Sequence, residues 1–169
     1  LDQMPKRRYG SISIKPDKTG LYYSVNGNDT PRIYDHTFGQ PGTADKEIFG
    51  AGYGASELVY GSISDDGRWL YVIVYYGSAA TQTDIYAQDL KAGGPLKPVF
   101  KGIPSRFIPQ PAGDRFIVLT NHKAPNSLII SVDPLHPEEA NWKELVPEAA
   151  SPIEEFTVAG GKLYAMYLE

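Results

Sequence analysis

The sequence has no cysteine. Structural disulfides and thiolate metal sites are therefore excluded. Compartment is not, because a reducing cytosol and a bacterial periplasm both tolerate such a chain. No apolar run approaches the ~20 residues of a membrane-spanning helix, so no membrane partner is expected. Basic blocks are also missing. The formal charge is −4, with acids and bases interleaved, which argues against a nucleic-acid partner. Lys6, Arg7 and Arg8 read as a solvated segment. Histidine is scarce: His36, His122 and His136 lie far apart, with no His-x-x-x-His spacing, so no metal site is expected. No signal peptide is visible. The chain opens at Leu1 rather than an initiator Met, which leaves a removed leader open.

What the chain has is turn formers and tyrosine: 17 Gly, 14 Pro and 12 Tyr in 169 residues. Tyr9-Gly10-Ser11-Ile12-Ser13 returns as Tyr60-Gly61-Ser62-Ile63-Ser64, 51 positions later. Each copy passes through an Asp-containing turn into an aromatic, β-branched run. Arg68 and Arg115, and again Phe116 and Leu163, repeat at 47 positions. A sheet-forming repeat of this length marks a β-propeller blade, one four-stranded sheet per repeat. The fold class is therefore all-β: a partial β-propeller of about three four-stranded blades plus the start of a fourth. The blades are expected at residues 1–50, 51–102, 103–148 and, in part, 149–169. A complete propeller needs more chain, so the sequence reads as a piece of a longer protein.

Turn chemistry and alternation place the strands. The first repeat offers Tyr9–Ile14, Leu21–Val25, Arg32–Thr37 and Glu47–Phe49. The second offers Leu58–Ile63, Trp69–Tyr75, Asp84–Asp89 and Pro98–Phe100. The third offers Arg106–Pro109, Phe116–Thr120, Leu128–Val132 and Trp142–Val146. Ile153–Val158 and Lys162–Leu168 open the fourth. Tyr71-Val72-Ile73-Val74-Tyr75 is apolar on both faces, as suits a strand between neighbouring blades. One helical turn fits Pro137 to Ala140. In a meandering blade the loops between strands two and three share one end with the blade-to-blade crossovers. Those loops are 26–31, 77–83 and 121–126, and the crossovers are 50–56 and 147–152. Polar loops on a rigid scaffold are where function resides.

No catalytic constellation is legible. No serine has Gly two positions before and two after it, so the nucleophile elbow is absent. Ser62 and Ser64 read as small residues of the repeated inner strand. Gly50-Ala51-Gly52-Tyr53-Gly54 precedes a strand rather than the helix a phosphate loop requires, so it reads as a flexible crossover and no cofactor is expected. Glu138-Glu139 and Glu154-Glu155 read as solvated surface. His122 reads as an exposed turn residue. Asn28-Asp29-Thr30 is a formal glycosylation sequon, and Trp69 and Trp142 read as strand residues packed in the core.

Two segments carry a resemblance. The first is Thr120-Asn121-His122-Lys123-Ala124-Pro125-Asn126-Ser127-Leu128-Ile129, continued by Asp133-Pro134 and Trp142-Lys143-Glu144-Leu145-Val146-Pro147-Glu148. The second is Ser64-Asp65-Asp66-Gly67-Arg68-Trp69 with Asp84-Ile85-Tyr86 and Asp89-Leu90. Together they resemble the propeller of the prolyl oligopeptidase family. The resemblance implies a seven-bladed propeller capping an α/β-hydrolase domain that carries the Ser, Asp and His triad. That hydrolase domain is the implied partner. It lies C-terminal to the propeller and is absent from this sequence, so no catalytic residue carries over. The implied function is that of a non-catalytic segment of a serine endopeptidase cleaving short peptides after proline, with the propeller restricting access. The implied cavity-side residues are Ser78, Thr81, Thr83, Asn121, His122 and Asn126. The short loop 26–31 departs from family members with a long loop there, and a cavity-side Cys found in the family is missing. Related acylaminoacyl or dipeptidyl-type peptidases, and a stand-alone binding module, remain alternatives. An unfinished fourth blade exposes a sheet edge, so self-association is expected.

Overall fold

The computed structural model describes residues 2, 5, 9–27 and 30–169. Lys6, Arg7 and Arg8 and most of the sequon lie outside them. Three four-stranded antiparallel sheets and one two-stranded sheet follow one another along the chain. The first holds β1 (Ile12–Ile14), β2 (Gly20–Val25), β3 (Arg32–Thr37) and β4 (Lys46–Phe49). The second holds β5 (Glu57–Ile63), β6 (Trp69–Tyr76), β7 (Thr83–Asp89) and β8 (Lys97–Phe100). The third holds β9 (Phe107–Ala112), β10 (Arg115–Thr120), β11 (Leu128–Val132) and β12 (Lys143–Val146). Strands β13 (Ile153–Ala159) and β14 (Lys162–Tyr167) form the last. Each sheet is a meander in chain order, as a propeller blade requires. Among the described residues no helix is long and apolar enough to cross a membrane. Among the described residues the helical content is two single 3₁₀ turns, Gly42–Ala44 and Glu139–Asn141.

Successive sheets pack face to face. On β6, Val72 and Val74 join Ile33 of the first sheet in one core cluster. Tyr71 and Ile73, on the opposite face, pack toward Phe116 of the third. The strand is covered on both sides, as its doubly apolar sequence predicts. Between the second and third sheets Phe100 stacks on Phe107 at 4.1 Å between ring centres, and Trp69 meets Phe116 edge-on at 5.6 Å. Such pairs add about 0.5–1.5 kcal/mol beyond their buried area. Gly61 of the repeated inner strand packs closely: a Cβ there would lie 3.0 Å from the Ile33 Cδ1 methyl, which would have to shift.

Polar side chains complete the seams. The innermost strand of each sheet has a sheet neighbour on one edge only. In the second, third and fourth sheets the other edge takes side chains from the preceding sheet. Asn26 Oδ1 accepts from Val59 N–H and Asn26 Nδ2 donates to Val59 O, both at 2.8 Å. Ser11 Oγ accepts from Gly61 N–H at 3.0 Å. The Thr83 hydroxyl accepts from Phe107 N–H and donates to Phe107 O. Gln110 makes the same double contact with Val158. Buried amides left unpaired would cost about 1–3 kcal/mol each.

Several boundaries differ from the sequence reading. Regular pairing in the first strand covers only Ile12–Ile14, with Tyr9 bridging Asn26 in isolation. The gap arises because Ser24 Oγ takes Ser11 N–H at 2.8 Å. The third sheet's inner strand runs through Pro109 and Pro111 to Ala112, although Pro111 reads as a turn residue. Both prolines share the parity of Phe107, whose N–H points away from β10 to Thr83. The missing N–H groups therefore fall on the open edge, where proline is tolerated. Ser64 lies in the turn after β5 rather than in the strand: its hydroxyl accepts from Trp69 N–H and donates to Asp66. Trp142 precedes β12, packing on Phe100 and Phe107 while its indole N–H donates to Pro137 O.

Because Trp69 is 1% exposed at the second seam, Trp69→Ala is expected to lower unfolding free energy by about 3–5 kcal/mol in urea titrations. Leu145→Ala, at an exposed site, should change it by less than about 0.5 kcal/mol.

Candidate functional site

The meander gathers loops 77–82 and 121–127 with the crossovers at one end of the sheets. Ser78 and Thr81 are exposed there, in a turn where Ala80 adopts a positive φ of 49°. Thr83 is fully buried, its hydroxyl spent on Phe107. It holds the loop in place rather than facing solvent. Asn121 is exposed, and its Oδ1 accepts from Arg106 N–H at 2.8 Å. Asn126 ties the next crossover down: its Nδ2 donates to Ala149 O and Ala150 O, and its backbone N–H to Glu148. A small hollow of about 130 Å³ opens among Arg106, Asn121, Pro125, Ser127 and Glu154.

His122 is half-buried instead of exposed, edge-on to Trp142 at 5.5 Å. Ser105 Oγ lies 3.2 Å from its Nδ1, and Glu139 Oε1 lies 3.5 Å from its Nε2. A serine, a histidine and an acid thus stand in line. Three features oppose nucleophilic use. Ser105 is 6% exposed, so a carbonyl cannot approach it. Its backbone carbonyl is bonded to Thr83 N–H across the seam. Glu139 is bonded mainly to Lys123, which holds its carboxyl below the ordinary range. No local sequence pattern signals this trio, since Ser105 and Glu139 are 34 positions apart.

A second feature is equally invisible in the sequence. The first crossover walls a groove of about 840 Å³ lined by Phe49, Tyr53, Tyr76, Tyr86, Glu57 and Lys101, among others. Gly50 opens it: buried, at φ 119°, it lies so close to the Pro31 carbonyl that a Cβ would collide at 2.1 Å. The glycine-rich crossover is therefore a close-packed corner at this position. Behind the groove sits Asp84, 1% exposed. Its Oδ2 accepts from the Tyr53 and Tyr76 hydroxyls at 3.0 and 2.9 Å, and its Oδ1 from Gly102 N–H at 2.9 Å. The Tyr53 and Tyr86 oxygens are 2.7 Å apart. Burial first, then the Asp84 contact, pushes the Tyr76 hydroxyl up to about 12. Burial and the Tyr86 and Asp84 contacts push Tyr53 further still. Both keep their protons at neutral pH.

His36 is fully buried, its Nδ1 2.7 Å from Asp45 Oδ1, whose other oxygen accepts from the Tyr23 hydroxyl. Asp2 lies 3.6 Å from His36 Nε2. The hydrogen bond to Asp45 raises the histidine above its ordinary 6.5 against the opposing effect of burial. Among the described residues no group of three or more His, Asp or Glu is placed to hold a metal ion.

Residues 3–169 match the family described as "Prolyl oligopeptidase, N-terminal beta-propeller domain". A prolyl endopeptidase of Elizabethkingia meningoseptica is 25% identical over 142 residues, which are 83% of this chain and 20% of that protein. The prolyl endopeptidase of Elizabethkingia miricola matches equally. A solved structure from work on two prolyl endopeptidases and their inter-domain dynamics is 27% identical, with a TM-score of 0.84 over 95% of this chain and 25% of its own. Prolyl oligopeptidase B of Galerina marginata shares the fold at 16% identity and a TM-score of 0.80, over 98% of this chain and 24% of its own. The chain thus spans about a fifth to a quarter of the length of these relatives.

A histidine raised in the folded state stabilises fully below its unfolded value of about 6.5. That stability is lost as pH rises through the folded value. The urea midpoint should therefore fall as pH rises above about 6.5, and the same scan of His36→Gln should lack that component of the slope.

Proposed function

The chain belongs to the family of prolyl oligopeptidase N-terminal β-propeller domains, and we propose that it serves as the non-catalytic propeller segment of a serine endopeptidase cleaving short peptides after proline. The observation that carries this reading is the prolyl endopeptidase likeness, 27% identical over nearly the whole chain. In the proposal, an α/β-hydrolase domain of the same parent protein supplies the nucleophile, acid and base. The stacked sheets contribute a rigid wall that admits short peptides and excludes folded proteins. Rigidity follows from the doubly bonded seams, and it allows steric exclusion without any catalytic group. The loop end carrying Ser78, Thr81, Asn121, His122 and Asn126 faces the substrate cavity, and Thr83 fixes the loop beside it. Ser105 takes no part in hydrolysis, because it is sealed by its own seam.

Sequencing the source gene should reveal a Gly-x-Ser-x-Gly elbow downstream, and a stop codon shortly after Glu169 would contradict the reading. The full-length protein should cleave a fluorogenic peptide after proline and spare folded proteins. The 169-residue chain alone should release no fluorophore. Removal of N-terminal units by the parent, in place of internal cleavage, would point to an exopeptidase instead.

The isolated chain is also proposed to self-associate. Tyr164 and Met166 on the two-stranded last sheet, and Leu168 just after it, are about half exposed, and an open strand edge templates pairing. Light scattering should show mass rising with concentration, and a monodisperse monomer throughout would oppose it.

A further inference from the structure

The groove at the first crossover has a feature that follows from counting protons. Each tyrosine hydroxyl carries one. Tyr76 gives its proton to Asp84, and so does Tyr53. Tyr86 must then give its own to the Tyr53 oxygen, 2.7 Å away. All three protons run toward the buried carboxylate. What remains of these three residues for any visitor is lone pairs and ring faces, which are acceptors only.

The charges agree. Among the described residues no Lys or Arg forms an ion pair with Asp84, whose partners are two hydroxyls and an amide. Glu47 is matched by Arg32 at 3.0 Å. Glu57 is held by Gly54 N–H and the Ser56 hydroxyl, again without a cation. Among the described residues Lys101 is the one basic residue of the lining, and its Nζ lies 6.0 Å from the Tyr86 ring centre. The aromatic walls are mutually braced: Phe49 meets Tyr86 edge-on at 4.7 Å, and Tyr53 meets Tyr76 edge-on at 6.4 Å.

We propose that this groove is a binding site for an organic cation, an alkylammonium or guanidinium group, seated against Phe49, Tyr53, Tyr76 and Tyr86 with the Asp84 charge behind them. Aromatic faces attract such groups, more strongly where water is displaced. Lys101 is the groove's own cation and competes with the ligand.

The test is an NMR titration of the chain with tetramethylammonium chloride, referenced to sodium chloride at equal ionic strength. Saturable shifts of the Tyr53, Tyr76 and Tyr86 ring protons are expected. Lys101→Met should tighten binding by about threefold or more, and Tyr86→Leu should weaken it by about fivefold or more. Asp84→Asn should also weaken it. If that variant does not fold, the other two decide. A parallel titration with N-acetyl-arginine amide identifies the source. Tighter binding than tetramethylammonium assigns the site to a polypeptide side chain, and weaker binding to a free small cation. Linear, unsaturated shifts for both probes overturn the proposal, as does a Lys101→Met chain that binds no better than the original.

Discussion

Everything in this structure depends on how one sheet meets the next. A strand at the inner end of a blade has a hydrogen-bonding neighbour on one edge and none on the other. Left alone, that edge would hold bare amides at the most crowded part of the fold. Here the preceding blade fills it with side chains: Asn26 on Val59, Ser11 on Gly61, Thr83 on Phe107 and Gln110 on Val158. The side chain acts as a piece of missing backbone. Apolar side chains fill the seams in separate clusters, Ile33 with Val72 and Val74 at the first and Trp69 with Phe100 and Phe116 at the second. Sheets joined in this way hold their positions relative to one another from blade to blade.

The clasps also explain the distribution of proline and glycine. Pro109 and Pro111 stand where an N–H would face the open edge, so nothing is lost by their ring nitrogen. Gly61 makes room for Ile33, and Gly50 lets the first crossover turn against Pro31. Residues that break structure elsewhere act here as fitting pieces. The same corner exposes the tyrosine-lined groove, so the geometry of the crossover and the chemistry of the groove have one origin.

Much of the fold was legible because each strand carries its signal locally. The Asp-containing turns and the double-sided apolarity of β6 are visible within short windows, and the turns recur at a period of about four dozen residues. The short first strand and the position of Trp142 were not, because single side-chain bonds, Ser24 to Ser11 and the Trp142 indole to Pro137, decide them. The site was legible only as a set of loops. Thr83 reads as a loop residue, yet its neighbour in space is Phe107, 24 positions away. The Ser105–His122–Glu139 line and the Tyr53–Asp84 contact join residues from separate sheets or crossovers. No local pattern encodes such meetings. They arise only once the meanders have folded and, for Thr83 and Phe107, stacked.

The central claim is that successive sheets are fanned and locked inner strand to preceding blade. Nuclear Overhauser spectra of the chain test it most directly. The account predicts strong cross-peaks from the Ile33 δ-methyl to the Gly61 α-protons, and from the Phe100 ring to the Phe107 ring. If the within-sheet cross-peaks of β6 and β7 are present while both of these are missing, the sheets do not stack as described and the account fails.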